Sequence, residues 1–194
     1  MKQVILITGT PCTGKTTISK QLTTKLDALY INLTEYAKTQ GLTVGEDKTR
    51  KTLIINEEKM QRKIAEAIDT TEKTAIIIDG HYATAVVPKR YVTHVFVLRR
   101  NPTELRKLME KRGFSNAKQR ENLEAEILDT CLIEALQEQD KNKICELDIT
   151  GKTVETVANE ILTVIKENKK CQIGKVNWID TLEKIGLLDE YLNL

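Results

Sequence analysis

The chain has 194 residues, of which 40% are hydrophobic and 30% are charged, and its formal net charge is +2. This length suits a single domain with a sizeable core, and the near balance of charge gives no indication of a general electrostatic attraction to nucleic acid or membranes, although it allows local basic patches. The first ten residues leave no space for a secretory signal, and no apolar run approaches the roughly 20 residues of a membrane-spanning helix. We therefore expect a soluble protein of the cytoplasm that contacts no membrane.

Apolar, β-branched segments predict strands, and segments with apolar residues three and four apart predict helices between them. Strands are predicted over 2–8, 29–33, 74–80, 93–100 and 143–150. Helices are predicted over 16–26, 34–39, 57–68, 102–112, 117–138 and 153–167, with one or two short helices within 178–192. This alternation predicts an α/β fold with a mainly parallel five-stranded sheet flanked by helices and a ligand at the carboxyl ends of the strands.

The four cysteines are scattered at Cys12, Cys131, Cys145 and Cys171, without a Cys-x-x-Cys pair. A structural zinc site would need closely spaced ligands, and a disulfide framework would suit a secreted protein. We therefore expect reduced, partly buried thiols.

The segment GTPCTGKTT contains a Walker A pattern, Gly9-x-x-x-x-Gly14-Lys15-Thr16, directly between a predicted strand and a predicted helix. Such a loop binds the phosphates of ATP through successive backbone N–H groups and the N-terminus of the helix. We expect Lys15 to reach the β and γ phosphates, Thr16 to bind the Mg²⁺ that accompanies ATP, and Thr17 to donate to the α-phosphate. The alternative is a glycine-rich turn without a ligand.

Cys12 lies at the fourth position of this loop. A residue other than glycine is acceptable there if its φ is negative. We expect Cys12 to bind ATP through its backbone N–H, with its thiol turned away from the phosphates.

Two further candidates follow the apolar run AIII. Asp79 ends a predicted strand, where a Walker B acid would bind Mg²⁺ directly or through water, although Asp-Gly is also a common turn. His81 follows two residues later. It would either position or deprotonate an attacking water, or donate a hydrogen bond to Asp79 and hold the loop.

The basic segment 106–120 supplies positive charge around a Gly-Phe turn. It is either a solvated helix face or a short mobile lid over the transferred phosphoryl group. We favour the lid, because Arg112-Gly113 interrupts the helix where a closing loop would bend.

Five motifs in order, GTPCTGKTT, IIIDGHYA, VFVLRRNPTEL, EKRGFS and RENLEAEILDTCLIEAL, together resemble the small, atypical adenylate kinases of archaea and eukaryotes, which are also described as ribosome-assembly ATPases. The resemblance covers about 2–167. It implies a P-loop NTPase fold of the nucleoside monophosphate kinase type, in one domain over 1–194. The small monophosphate-binding insertion would lie at about 32–55, the short lid at about 111–118, and a C-terminal extension at about 169–194.

The resemblance also implies an activity and roles for individual residues. The family transfers the γ-phosphoryl group of ATP to AMP and related nucleoside monophosphates, hydrolyses ATP, and takes part in small ribosomal subunit maturation through a platform ribosomal protein. Arg112 would reach the phosphates of ATP, and Asp79 and His81 match the residues implicated in hydrolysis. Asp47 and Arg50 are the polar candidates for monophosphate binding. The candidate catalytic residues are Lys15, Asp79, His81 and Arg112.

Two alternatives remain from the sequence. The chain could be an ATPase switch that assembles ribosomes, with incidental kinase activity. Its basic segment 166–175 would then contact pre-ribosomal RNA transiently, unless it is a solvated linker. A kinase of small metabolites with the same fold is the other alternative.

Overall fold

A five-stranded parallel sheet forms the centre of the molecule. The computed structural model describes residues 2–47, 52–167 and 171–192. The strands of the sheet are β1 (Gln3–Thr8), β2 (Leu29–Asn32), β5 (Ala75–Asp79), β6 (His94–Arg99) and β7 (Ile144–Asp148). Their order is β2-β5-β1-β6-β7, and all neighbours are parallel. The five predicted strands and their parallel arrangement are confirmed.

Helices connect the strands and cover both faces of the sheet. They are α1 (Lys15–Leu26), α2 (Leu33–Thr39), α3 (Glu57–Thr70), α4 (Ala83–Val86), α5 (Pro102–Lys111), α6 (Asn116–Ile127), α7 (Thr130–Glu138), α8 (Val154–Glu167), α9 (Trp178–Lys184) and α10 (Leu188–Leu192). Side-chain caps begin several of them, since Asn32, Asn56, Asn101, Ser115 and Asn177 each accept a hydrogen bond from a backbone N–H of the first turn. Within the described ranges, every helix is too short or too polar to cross a lipid bilayer.

The central strand β1 supplies side chains to two apolar layers in alternation. Val4 and Leu6 pack with apolar residues of α3, α4 and α7, whereas Ile5 and Ile7 pack with those of α1 and α8. All four side chains are buried, and full burial of a side chain of this size contributes about 1.5–3 kcal/mol. These two layers hold the carboxyl ends of β1 and β5 side by side, which places the candidate site.

Two elements differ from the sequence prediction. No strand was predicted between the helices at 34–39 and 57–68, but β3 (Thr43–Asp47) and β4 (Thr52–Ile55) form an antiparallel hairpin there. The helix predicted over 117–138 is two helices, α6 and α7. They separate at Asp129, whose φ is +59° and whose carboxylate pairs with Arg99. The ion pair holds Asp129 in a conformation that ends α6, which an apolar pattern running through this point cannot indicate.

A disulfide joins Cys145 of β7 to Cys171, with the two Cα atoms 4.8 Å apart. The prediction of reduced thiols is therefore wrong for this pair, and it holds for Cys12 and Cys131, which are free. The two bonded cysteines are 26 residues apart in sequence. Only the return of the chain past β7 after α8 brings them together.

Candidate active site

The loop between β1 and α1 turns through three residues of positive φ at the carboxyl edge of the sheet. These φ values are 137° at Gly9, 71° at Cys12 and 90° at Gly14. A Cβ at Gly9 would collide with the backbone carbonyl of Leu98 in β6, so only glycine lets the loop pass this close to the sheet. The Walker A segment therefore forms a tight loop that leads directly into α1.

Cys12 departs from its expected conformation. Its φ is +71°, whereas a negative φ was predicted, because the tight loop needs a left-handed residue at this fourth position. A left-handed conformation costs a residue with a Cβ roughly 1–2 kcal/mol. The Cys12 side chain is 8% exposed and packs in an apolar cluster with Leu105 and Met109 of α5, and this burial offsets part of that cost.

The N-terminus of α1 has no side-chain cap. Gly14 occupies the cap position and carries no side chain that could accept from the first turn, and Thr16 and Thr17 follow with exposed side chains. The first N–H groups of a helix need acceptors, and together with the helix dipole they favour an anion. This end of α1 therefore suits a phosphate group, with two hydroxyls beside it.

Lys15 folds back over the loop that precedes it. Its Nζ donates to the carbonyl oxygens of Gly9, at 2.7 Å, and Thr10, at 2.9 Å. Burial lowers the pKa of Lys15, and nearby groups that include Asp79 act in the opposite direction. The ammonium group is thus held within the loop, where a phosphate would compensate its desolvation.

Asp79 ends β5 next to the phosphate loop. Its side chain is buried, and its two carboxylate oxygens accept from the Tyr30 hydroxyl at 3.1 Å and from the Asn32 amide at 2.6 Å. Burial raises the pKa of Asp79, and hydrogen bonds from Thr16, Tyr30 and Asn32 and the charge of Lys15 oppose that rise. The carboxylate is therefore oriented on three sides and lies beside the candidate phosphate site.

Sequence reasoning missed Tyr30 and Asn32. Both lie on β2, which pairs with β5 so that Asn32 is directly opposite Asp79. Burial and the Asp79 charge raise the pKa of Tyr30 to about 12, so its hydroxyl stays a donor at neutral pH. The sequence shows two polar side chains in alternate positions near the end of a predicted strand. It does not show that they contact Asp79, because that contact depends on the order of the strands in the sheet.

His81 lies near enough to Lys15 of α1 and Lys118 of α6 for both positive charges to act on its ring. Desolvation, followed by the positive charges of Lys15 and Lys118, lowers the pKa of His81 to about 4. His81 is nevertheless exposed to solvent, and its contact with water reduces the effect of desolvation on its pKa. Among the described residues, no hydrogen bond joins the His81 ring to Asp79, so the geometry does not support the alternative in which this histidine holds the acid. The imidazole is therefore neutral at pH 7, and one of its ring nitrogens can accept a hydrogen bond.

The side chains of Thr16 and Asp79 have the chemistry of a Mg²⁺ site. Both present oxygen atoms, which Mg²⁺ prefers, and Thr16 hydrogen-bonds to the Asp79 carboxylate. Within 2–47, 52–167 and 171–192, no cluster of three or more His, Cys, Asp or Glu side chains forms a self-contained metal site. Thr16 and Asp79 therefore suit a cation whose remaining ligands are phosphate oxygens and water molecules.

The turn between α5 and α6 brings Arg112 to the phosphate loop. Arg112 caps α5, Gly113 follows with a φ of +70°, and Ser115 caps α6. The Arg112 guanidinium donates to the Cys12 sulfur at 3.7 Å. The predicted break at Arg112-Gly113 is confirmed, and the mobility of 111–118 stays a prediction.

The two monophosphate candidates are only partly placed. The backbone of Asp47 ends β3, while its side chain and all of Arg50 lie outside the described residues. Their roles stay predictions.

A buried acid also contacts the phosphate loop and was not predicted. Glu126 of α6 accepts a hydrogen bond from the Thr10 hydroxyl at 2.5 Å and forms an ion pair with Arg99. Its position in a segment rich in charged residues is typical of a solvated helix face, and the sequence carries no signal that distinguishes it.

Solved kinases share the fold of this chain. A thymidylate kinase from Candida albicans has a TM-score of 0.54 and 16% identity, and the similarity covers 86% of this chain and 92% of that one. A shikimate kinase from Bacteroides thetaiotaomicron has a TM-score of 0.56 and 16% identity, with 85% and 98% covered. The expected P-loop kinase fold is therefore confirmed.

The sequence has closer relatives. The AAA domain family matches residues 5–129. A protein of Methanocaldococcus jannaschii named "Putative adenylate kinase" is 41% identical over 176 residues, which cover 91% of this chain and 93% of the relative. A protein of Pyrococcus furiosus with the same name is 37% identical, with 94% of each chain covered. The chain therefore belongs to the AAA domain family, together with the archaeal proteins that carry this adenylate kinase name.

Proposed function

We propose that this chain is a nucleoside monophosphate kinase of the adenylate kinase type, with ATP as donor and AMP or a related monophosphate as acceptor. The observation that carries the proposal is the meeting of Lys15, Asp79 and Arg112 at one edge of the sheet. Lys15 lies within the loop, Asp79 is oriented beside it, and Arg112 reaches it from the α5–α6 turn. The names of the archaeal relatives support the same activity.

In this reaction a phosphate oxygen of the acceptor attacks the γ-phosphorus of ATP. The bond between that phosphorus and the β,γ-bridging oxygen breaks, ADP leaves with the bonding electrons, and the acceptor becomes a diphosphate. The protein contributes positioning and charge, and no side chain is needed as a nucleophile.

Each residue of the site has a distinct part in this scheme. The uncapped N–H groups of α1 and the N–H of Cys12 bind phosphate oxygens, and Thr17 donates to the α-phosphate. Lys15 and Arg112 neutralise the charge on the transferred group. Thr16 and Asp79 would hold Mg²⁺, which when bound neutralises the β and γ phosphate oxygens.

The acceptor would lie across the cleft, near the region 32–55. The β3–β4 hairpin belongs to that region, and Asp47 ends its first strand. We propose Asp47 and Arg50 as acceptor contacts on the family resemblance alone.

ATP hydrolysis is the second candidate function. It is favoured by His81, which is exposed, neutral at pH 7 and close to Lys15, and so could accept a hydrogen bond from an attacking water and position it. The resemblance adds a switch in the maturation of the small ribosomal subunit in the cytoplasm, with a platform ribosomal protein and pre-ribosomal RNA as partners. The basic segment 166–175 proposed for RNA contact includes 168–170, outside the described residues.

A coupled assay of ADP production tests the kinase proposal. ADP is measured from ATP with AMP, with each other monophosphate, and with no acceptor. We expect AMP to raise ADP production well above the acceptor-free rate. If no monophosphate does so, hydrolysis is the activity and the kinase proposal is wrong.

The variant Lys15→Ala should lower transfer by at least roughly 100-fold, since it removes a charge from the transferring group. Lys20→Ala is the matched control, because Lys20 is an exposed lysine on the same helix. Circular dichroism spectra verify that both variants fold. Near-normal transfer by folded Lys15→Ala would refute the site.

A further inference from the structure

A buried ion cluster lies beneath the candidate active site. Arg99, at the end of β6, is 1% exposed and forms ion pairs with Glu126 of α6, Asp129 and Glu146 of β7. Glu126 is also 1% exposed. Buried charges of this kind are stable only when each has a fixed set of partners, so displacement of one member affects the others.

Glu126 connects this cluster to two distant parts of the chain. Its Oε2 accepts from the Thr10 hydroxyl at 2.5 Å. Its Oε1 accepts from the Arg99 Nε at 2.9 Å, the Arg100 backbone N–H at 3.1 Å and the Trp178 indole N–H at 2.9 Å. One carboxylate therefore joins the phosphate loop to the C-terminal segment 171–192.

The contact at Thr10 bears directly on Lys15. The carbonyl oxygen of Thr10 accepts from the Lys15 ammonium at 2.9 Å and from the Thr13 hydroxyl at 2.9 Å. The Thr10 side chain is fixed by Glu126. The negative charge of Glu126 also opposes the lowering of the Lys15 pKa by burial. The position of Thr10, and with it the phosphate loop, therefore depends on Glu126.

The C-terminal segment is attached to the same cluster at further points. The backbone N–H groups of Gly174 and Lys175 donate to Oε2 of Glu146, at 2.8 and 3.1 Å. The Trp178 side chain is 5% exposed and packs with Leu123 and Ile127 of α6. Docking of this segment thus completes the hydrogen bonds of two buried acids.

We propose that Glu126 is a positioning residue that couples the phosphate loop to the docked C-terminal segment. Nucleotide at the loop changes the surroundings of Trp178, and loss of the Trp178 contact weakens nucleotide binding. The two effects are reciprocal, because a coupling free energy acts equally in both directions. The inference rests on the proposed binding of ATP at the Walker A loop.

The chain has a single tryptophan, Trp178, so its tryptophan emission, excited selectively over that of the tyrosines, reports on the surroundings of this one side chain. The full-length protein is titrated with ADP in the presence of EDTA, because without Mg²⁺ the reverse reaction, which converts two ADP molecules to ATP and AMP, does not proceed. Calorimetry under the same conditions gives the dissociation constant independently. We expect a saturable change in tryptophan emission with the calorimetric dissociation constant.

Two variants interrupt the connection from opposite ends. Thr10→Val keeps the shape of the side chain but loses the donor to Glu126, and Trp178→Phe keeps the aromatic ring but loses the indole N–H. Each removes one hydrogen bond to a carboxylate and should weaken ADP binding and raise the KM for ATP roughly three- to tenfold. The KM for the acceptor should stay unchanged. In Thr10→Val, the emission change should also be lost at saturating ADP.

Thr163→Val is the matched control, because the Thr163 hydroxyl donates only to the Asn159 carbonyl on the exposed side of α8. It should behave as wild type in both measurements. If Glu126 had only a structural role, Thr10→Val and Trp178→Phe would have lower thermal stability, but the ADP dissociation constant and the KM for ATP would not change. That result, or an unaltered emission change in Thr10→Val, would overturn the proposal.

The outcomes also separate this inference from the proposed function. ADP binding that alters Trp178 emission, without transfer to any monophosphate, contradicts the kinase proposal and leaves the coupling intact. Transfer activity with ADP binding that leaves wild-type emission unchanged contradicts the coupling alone.

Discussion

The Arg112 guanidinium donates to the Cys12 sulfur across 3.7 Å, so the turn after α5 touches the middle of the phosphate loop. Arg112 is exposed and has five N–H donors, of which this contact uses one. The remaining donors are available to phosphate oxygens at the loop. Contact with the loop and spare donors together suit an arginine that stabilises charge during phosphoryl transfer.

Arg112→Ala should therefore lower kcat for transfer by roughly 1,000-fold or more, as expected when an arginine is removed from a transferring phosphoryl group. Because the side chain is exposed, the free energy of unfolding should change by less than about 0.5 kcal/mol. Steady-state kinetics with ATP and AMP and urea unfolding measure the two quantities. Lys107→Ala removes an exposed positive charge from the same helix and should retain wild-type kcat. Equal losses in both variants would show that Arg112 has no specific part.

The left-handed conformation of Cys12 predicts that two small substitutions differ in their effect on stability. Cys12→Gly and Cys12→Ala both lose the packing of the thiol, but only alanine keeps a Cβ at a φ of +71°. The glycine variant should be more stable than the alanine variant by about 1 kcal/mol. Urea unfolding of both variants measures this difference. Equal stability, or a more stable alanine variant, would contradict strain at this position.

Local signals were sufficient to predict the sheet and the phosphate loop. Buried parallel strands appear as apolar runs, and the glycines Gly9 and Gly14 mark the turn into α1 by their spacing alone. Asp79 was predicted for the same reason, since it directly follows such a run. These features depend on residues close together in sequence.

Features that depend on long-range partners were not predictable. Tyr30 and Asn32 contact Asp79 only because β2 and β5 are neighbours, and Glu126 resembles a surface residue until Arg99 and Thr10 surround it. The φ of Cys12 is likewise set by the path of the whole loop. The sequence therefore predicts where the site lies, and the fold determines what holds it.

His81 predicts a pH dependence of stability. Its pKa is about 4 in the folded protein, against 6.5 for an unperturbed histidine. As the pH falls below 6.5, the unfolded chain binds a proton at this position that the folded protein does not bind until about pH 4. The free energy of unfolding should therefore decline in this window, and more steeply in wild type than in His81→Gln.

Urea unfolding of both proteins at several values between pH 7 and about pH 4.5 tests this difference. His94, whose pKa burial also lowers, is present in both proteins and cancels in the comparison. The part of their difference that varies with pH should be smallest at pH 7, because His81 is mostly neutral there in both the folded and the unfolded state. Parallel pH profiles would show that His81 has an ordinary pKa.

The bond between Cys145 and Cys171 predicts both a thiol count and a stability change. The protein, denatured without reductant, should expose two reactive thiols, those of Cys12 and Cys131, and four after reduction. Reduction should lower the free energy of unfolding by about 3 kcal/mol, as expected for a cross-link that closes a loop of this length. Cys171→Ser should show the same loss, and a reductant should not reduce its stability further. Four reactive thiols before reduction would refute the disulfide, whereas two thiols and an unchanged unfolding free energy after reduction would show that it adds no stability.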